Sequence, residues 1–136
     1  MERRDLVLRM IQQTAQLLRA VFNSLPIDDF ETEQQVQDFT SALKDNFNLN
    51  IDSFIFSSDE ETITTLLAID GMDIENIESL ADILRLLALK TQDSLNEKSA
   101  LLNSKALLLF QYVADTSKTY DWGRENKIVE LKNILA

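Results

Sequence analysis

Neither cysteine nor histidine occurs anywhere in this chain of 136 residues, and glycine and proline are confined to Gly71, Gly123 and Pro26. Without thiols there can be no disulfide, no structural zinc site and no sulfur nucleophile, a usage that fits a reducing compartment. Without imidazole the commonest general base and metal ligand near neutral pH is missing. Serine triads, cysteine–histidine dyads and di-iron bundles built on Glu-x-x-His are therefore excluded. All-β folds need turn residues about every 8–12 positions, so the scarcity of glycine and proline points to helices. Two glycines cannot build a phosphate-cradling loop. Long apolar runs are also lacking. The longest is Ala106 to Phe110, far short of a membrane span. Near the start, Leu6-Val7-Leu8 is broken by Arg9, too early for the core of a secretory signal. A cytoplasmic location is expected by elimination.

Apolar residues make up 45% of the chain, and a domain of this length buries roughly two thirds of its unfolded surface, so one core is expected. Leu6, Met10, Leu17, Val21 and Leu25, flanked by Val7, Ile11, Leu18 and Phe22, recur at helical spacing over residues 3–24 and stop at Leu25-Pro26. Val36, Phe39, Leu43 and Phe47 mark a second helix over 33–46. Phe47, Leu49 and Ile51 then alternate with Asn48, Asn50 and Asp52, a strand-like period. A lone strand has no partner for its backbone, so a short helix over 51–56 is preferred. Ser58-Asp59-Glu60-Glu61 has the spacing of a capping box, opening a helix through Ile69 that ends near Asp70-Gly71. Asp73 caps the next helix, 74–90, whose core face is Ile74, Ile77, Leu80, Ala81, Leu84, Leu87 and Ala88. After a turn at Thr91 to Asp93, a helix over 94–116 has two apolar stripes. One runs Leu95, Leu102, Ala106, Leu109, Phe110 and Val113; the other runs Leu101, Leu108 and Tyr112, a pattern expected of a helix between layers. Residues 122–135 form the last helix, facing inward through Ile128, Leu131 and Leu135.

Charge is segregated. Residues 26–82 carry fifteen acidic side chains and only Lys44, so this segment holds −14, while the segments before and after it hold +2 each. The net −10 argues against nucleic-acid binding, which depends on phosphate contacts. Asp70-Gly71-Met72-Asp73-Ile74-Glu75 superficially suggests a calcium loop, but with Gly71 at the sixth position two ligand positions fall on Leu66 and Ala68. Helix capping explains the same residues, as it does Asp59, Glu60 and Glu61. A carboxylate-based divalent-metal site or enzyme over 59–82 is the alternative function, since aspartate and glutamate alone can supply acid and base. The first helix, with Arg3, Arg4, Arg9 and Arg19 but glutamines over half its polar face, reads as a core or dimer helix rather than a membrane anchor.

Tyr120-Asp121-Trp122-Gly123-Arg124 is the most individual pentapeptide. In the simpler reading Asp121 caps the last helix and Trp122 covers the edge of the core. In the other, Tyr120, Trp122 and Arg124, residue types enriched at binding hot spots, form part of a partner surface.

The C-terminal helix pair resembles tetratricopeptide hairpins, with Ala106, Phe110 and Val113 at the small–aromatic–small spacing of that repeat's second helix, although no 34-residue period exists. Asp5-Leu6-Val7-Leu8-Arg9-Met10-Ile11, Ser53 to Glu61 and Lys105 to Phe110 with its following tail are similar to a group of uncharacterised bacterial all-helical proteins. That resemblance implies a helical hairpin fold and no assigned activity. The expectation is a single all-α domain of six or seven helices: a long first helix, an acidic short-helix region over 26–72, and a tetratricopeptide-like hairpin with a capping helix over 73–136. The expected role is non-catalytic, without cofactor. It is interaction with a protein partner or with a second copy, through Leu6, Met10, Tyr120, Trp122 and Arg124.

Overall fold

The computed structural model describes the backbone of residues 3–24, 32–91 and 96–136. These residues form seven helices and no strand: α1 (Arg3–Ser24), α2 (Thr32–Phe47), α3 (Ile51–Phe56), α4 (Asp59–Leu67), α5 (Ile74–Thr91), α6 (Asn96–Ser117) and α7 (Trp122–Leu135). The expected stop at Leu25-Pro26, the turn residues Gln92 and Asp93, and Leu95 lie outside the described residues, as do the side chains of Arg3, Arg4, Val21, Phe22, Val36 and Phe39.

Side-chain caps set the helix starts. Asn50 accepts from the Ser53 amide at 3.2 Å at the head of α3, Ser58 from Glu61 at 3.1 Å at α4, Asp73 from Asn76 at 2.9 Å at α5, and Asp121 from Arg124 at 2.9 Å at α7. Each satisfies an amide that the helix cannot, worth about 0.5–2 kcal/mol. The period-two signal at 47–52 has a plain origin. Asn48, left-handed at φ 54°, closes α2 with its amide on the Lys44 carbonyl, and Leu49 and Asn50 then link α2 to α3. Phe47, Leu49 and Ile51 point inward along it, while Asn48, Asn50 and Asp52 are exposed. α4 ends at Leu67 rather than Ile69, because residues 68–71 tighten into a turn that must clear α1.

At the centre lies a hairpin of α5 and α6. Near its closed end Ser99 of α6 donates to the Ala88 carbonyl of α5 at 2.8 Å, and at its open end the start of α5 and the end of α6 line one groove, so the two helices run antiparallel. Leu80, Ala81, Leu84, Leu87 and Ala88 of α5 and Leu102, Ala106, Leu109, Phe110 and Val113 of α6 are all fully buried. The alanines let the backbones approach so that neighbouring leucines interlock. α1 and α2 pack on α5, whereas α3, α4 and α7 pack on α6. The second apolar stripe of α6 is only half-buried at Leu101, Leu108 and Tyr112. On α1 the inward seam is Ile11, Thr14 and Leu18, and Leu6, Val7, Leu8 and Leu17 remain exposed.

The segregated charge is used to register the helices. Among the described residues, four ion pairs run from the acidic block to the C-terminal third: Asp52–Lys98 at 3.3 Å, Asp59–Lys105 at 3.8 Å, Glu78–Arg124 at 3.4 Å and Asp82–Lys127 at 2.6 Å. Lys98 and Lys105, two turns apart, fasten α3 and α4 to α6. Arg124 and Lys127, one turn apart, meet Glu78 and Asp82, one turn apart on α5. Lys127 also stands over the Phe110 ring, 5.5 Å from its centroid.

Candidate interaction surface

A groove of ≈ 690 Å³ opens where the first half of α1, the start of α5, the end of α6 and the start of α7 converge. Its floor is apolar, made by Leu8, Ile11, Ile74 and Val113. Its walls carry Gln12, Asp73, Glu75, Glu78, Ser117, Thr119 and Arg124. Two devices hold the wall elements in place. Thr14 donates to the Asp70 carbonyl at 3.1 Å, and Asn76 donates to the Ile11 and Gly71 carbonyls at 3.1 and 2.7 Å, so α1 is bolted to the turn before α5. Gly71, at φ +80°, sits against the Met10 carbonyl and the Thr14 hydroxyl, where a Cβ has no room.

The second device is the loop between α6 and α7. Lys118, at φ 56°, ends α6 in a left-handed turn. The Thr119 amide donates to Ser117 Oγ at 3.3 Å, the Thr119 carbonyl accepts from Arg124 Nη2 at 2.7 Å, and Asp121 caps α7. On this braced corner Tyr120 and Trp122 stand edge to face, with ring centroids 5.2 Å apart and planes at 89°. Both project outward, 66% and 72% exposed. The expectation that Trp122 covers the edge of the core is therefore corrected. The neighbour that does turn inward is Arg124, 5% exposed. Its Nη1 lies 3.4 Å from Glu78 Oε2, and its Nε–H meets no acceptor among the described residues.

The five residues singled out in the sequence are thus not one patch. Tyr120, Trp122 and Arg124 share the α6–α7 corner, the first two displayed and the third supporting it. Leu6 is 48% exposed and Met10 half-buried. By helical geometry these two lie on the flank of α1 opposite Leu8 and Gln12, facing away from the groove. Leu8 and Ile11, overlooked in the sequence, are the α1 residues on the groove floor. Thr14, Asn76 and Lys105 are buried polar groups that the apolar patterning passed over, and Arg124, singled out for a partner surface, is buried as well. A hint existed only for Thr14, which fills the gap between Ile11 and Leu18 on the inward seam.

At the other end of the hairpin a cleft of ≈ 390 Å³ lies between the end of α5, the start of α6 and the end of α7, with Leu86, Leu89 and Ile134 on its walls and the Arg85–Glu130 pair, 3.0 Å apart, at its rim. Among the described residues no group of three or more aspartates and glutamates is placed to hold a metal ion. Asp73 caps a helix, while Asp59, Glu78 and Asp82 face basic side chains. Among the described residues, too, no helix is long and apolar enough to cross a membrane. Comparison with protein-family models, with curated proteins and with solved structures finds no significant match to this chain.

Proposed function

We propose that the chain is a non-catalytic interaction protein that engages a protein partner at the groove between α1, α5, α6 and α7. One observation carries this reading: two large aromatic side chains are held out in solvent at the braced α6–α7 corner, whose neighbouring residues Thr119 and Arg124 line an apolar-floored groove. Exposing Tyr and Trp has no use for folding, and these are the residue types from which interface hot spots are built. The missing cysteine and histidine, and the employment of the 59–82 carboxylates in caps and ion pairs, support a binding role over catalysis. In this reading the tetratricopeptide-like hairpin of α5 and α6 is the rigid scaffold, α7 its cap, and the working compartment the cytoplasm.

Affinity capture from host extract with the full chain, run beside a Tyr120→Ser/Trp122→Ser variant, tests it. A protein retained by the first and lost from the second, with unchanged circular dichroism, is expected; identical retention by both would overturn the assignment. The exposed Leu6 flank motivates a second reading, self-association through α1. A dimer by light scattering that Leu6→Glu with Met10→Glu converts to monomer would support it, and a monomeric parent would remove it.

A further inference from the structure

We infer that the groove takes a basic, aliphatic-flanked segment of a partner protein, an inference that rests on the interaction reading above and adds the chemistry of the occupant. Among the described residues the lining carries three carboxylates, Asp73, Glu75 and Glu78, against one cation, Arg124. That cation is buried and already faces Glu78, so it offers no positive charge to a visitor. Glu75 is exposed and has no ion-pair partner among the described residues. Among charged residues next in the chain to the lining, the acidic Asp121 and Glu125 and the basic Arg9 and Lys118 all stand outside it. An anionic or nucleic-acid partner is repelled from such a site, and a cationic one is steered to it.

Two further features narrow the class. The Tyr120 and Trp122 rings stand exposed on the corner whose neighbouring residues Thr119 and Arg124 line the groove, and exposed aromatic faces attract ammonium and guanidinium groups. Leu8, Ile11, Ile74 and Val113 give the floor an apolar character that a simple inorganic cation could not use but the aliphatic side chains of a peptide could. The occupant is therefore a peptide segment in which lysine or arginine alternates with leucine-like residues.

The probe is a fluorescein-labelled twelve-residue peptide alternating leucine and lysine, followed by anisotropy and by the emission of Trp122, the chain's single tryptophan. Matched peptides with serine or glutamate in place of lysine are the controls. Binding of the lysine peptide alone is expected, weakened about tenfold by Glu75→Lys or by Trp122→Ala. Glu60→Lys, on the exposed first turn of α4, should leave it nearly unchanged. Equal binding of the serine peptide, or no binding of the lysine peptide, would overturn the inference while leaving host-partner capture to judge the interaction reading separately. An equal loss from Glu60→Lys would overturn it too, since attraction to the net charge would then suffice. So would a dimer of the wild-type chain that the lysine peptide dissociates, because a second copy would be the occupant.

Discussion

The side-chain amide of Asn76, near the start of α5, donates to the carbonyl of Ile11 in α1, 65 residues earlier, across 3.1 Å. The same nitrogen donates to the Gly71 carbonyl at 2.7 Å, so one buried amide ties a helix to the turn that precedes its own. Replacing Asn76 by alanine removes both bonds, although each carbonyl keeps a backbone donor, the Asp73 amide for Gly71 and the amide one turn on for Ile11. The cost is therefore that of the lost bonds and of the buried space, about 0.5–1.5 kcal/mol per bond. Urea unfolding of the Asn76→Ala variant is expected to lose about 2–3 kcal/mol. A loss below about 0.5 kcal/mol would show that water takes the place of the amide.

Gly71→Ala attacks the same junction from the backbone. Its φ of +80° disfavours a side chain, and the new Cβ would overlap the Met10 carbonyl and the Thr14 hydroxyl. The combined strain is expected to cost more than 2 kcal/mol, or about 8 °C or more in melting temperature at this size. Because the clash falls on backbone, trimming Thr14 to alanine should rescue little of it.

Lys105 separates a buried hydrogen bond from a surface ion pair. Its Nζ donates to the Ser57 carbonyl at 2.6 Å and lies 3.8 Å from Asp59 Oδ1. Asp59 is 80% exposed and Lys105 only 6%. The carbonyl contact should therefore dominate. Lys105→Ala is expected to destabilise by about 1–3 kcal/mol and Asp59→Asn by less than about 0.5 kcal/mol. Comparable losses would reverse that ranking.

Trp122→Ala should barely alter stability, within about 0.5 kcal/mol, since the side chain covers no core. In the wild-type chain alone, tryptophan emission should be red-shifted and readily quenched by iodide. A blue-shifted, protected emission would place Trp122 against apolar surface instead.

The helices were legible because capping and periodicity agree at most of their ends. Ser58, Asp73 and Asp121 sit where their side chains are needed, and the leucines of α5 face its partner. What the sequence concealed were choices between faces. On α1 two apolar flanks compete, and only packing against α5 decides that Ile11 and Leu18 go inward while Leu6 and Leu17 stay out. Trp122 and Arg124 exchange their usual places because Asp121 caps α7, and Glu78 and the Thr119 carbonyl then wait on the inner side. The groove itself assembles four helices from distant parts of the chain, so no local pattern announces it.

Pairing an acidic middle with basic partners that come later in the chain has a consequence for biogenesis. As the chain leaves the ribosome, residues 26–82 emerge as a polyanion before Lys98, Lys105, Arg124 and Lys127 have been made. Leu66, Ile77, Leu80 and Leu84, all buried in the finished fold, emerge before α6 over the same interval. Self-repulsion in that stretch works against premature collapse, and its like charge discourages pairing between nascent neighbours. Docking of α6 then covers apolar surface and supplies Lys98 and Lys105, the first two of those four partners, in a single event, so the arrival of that helix is the step expected to govern the yield of folded protein.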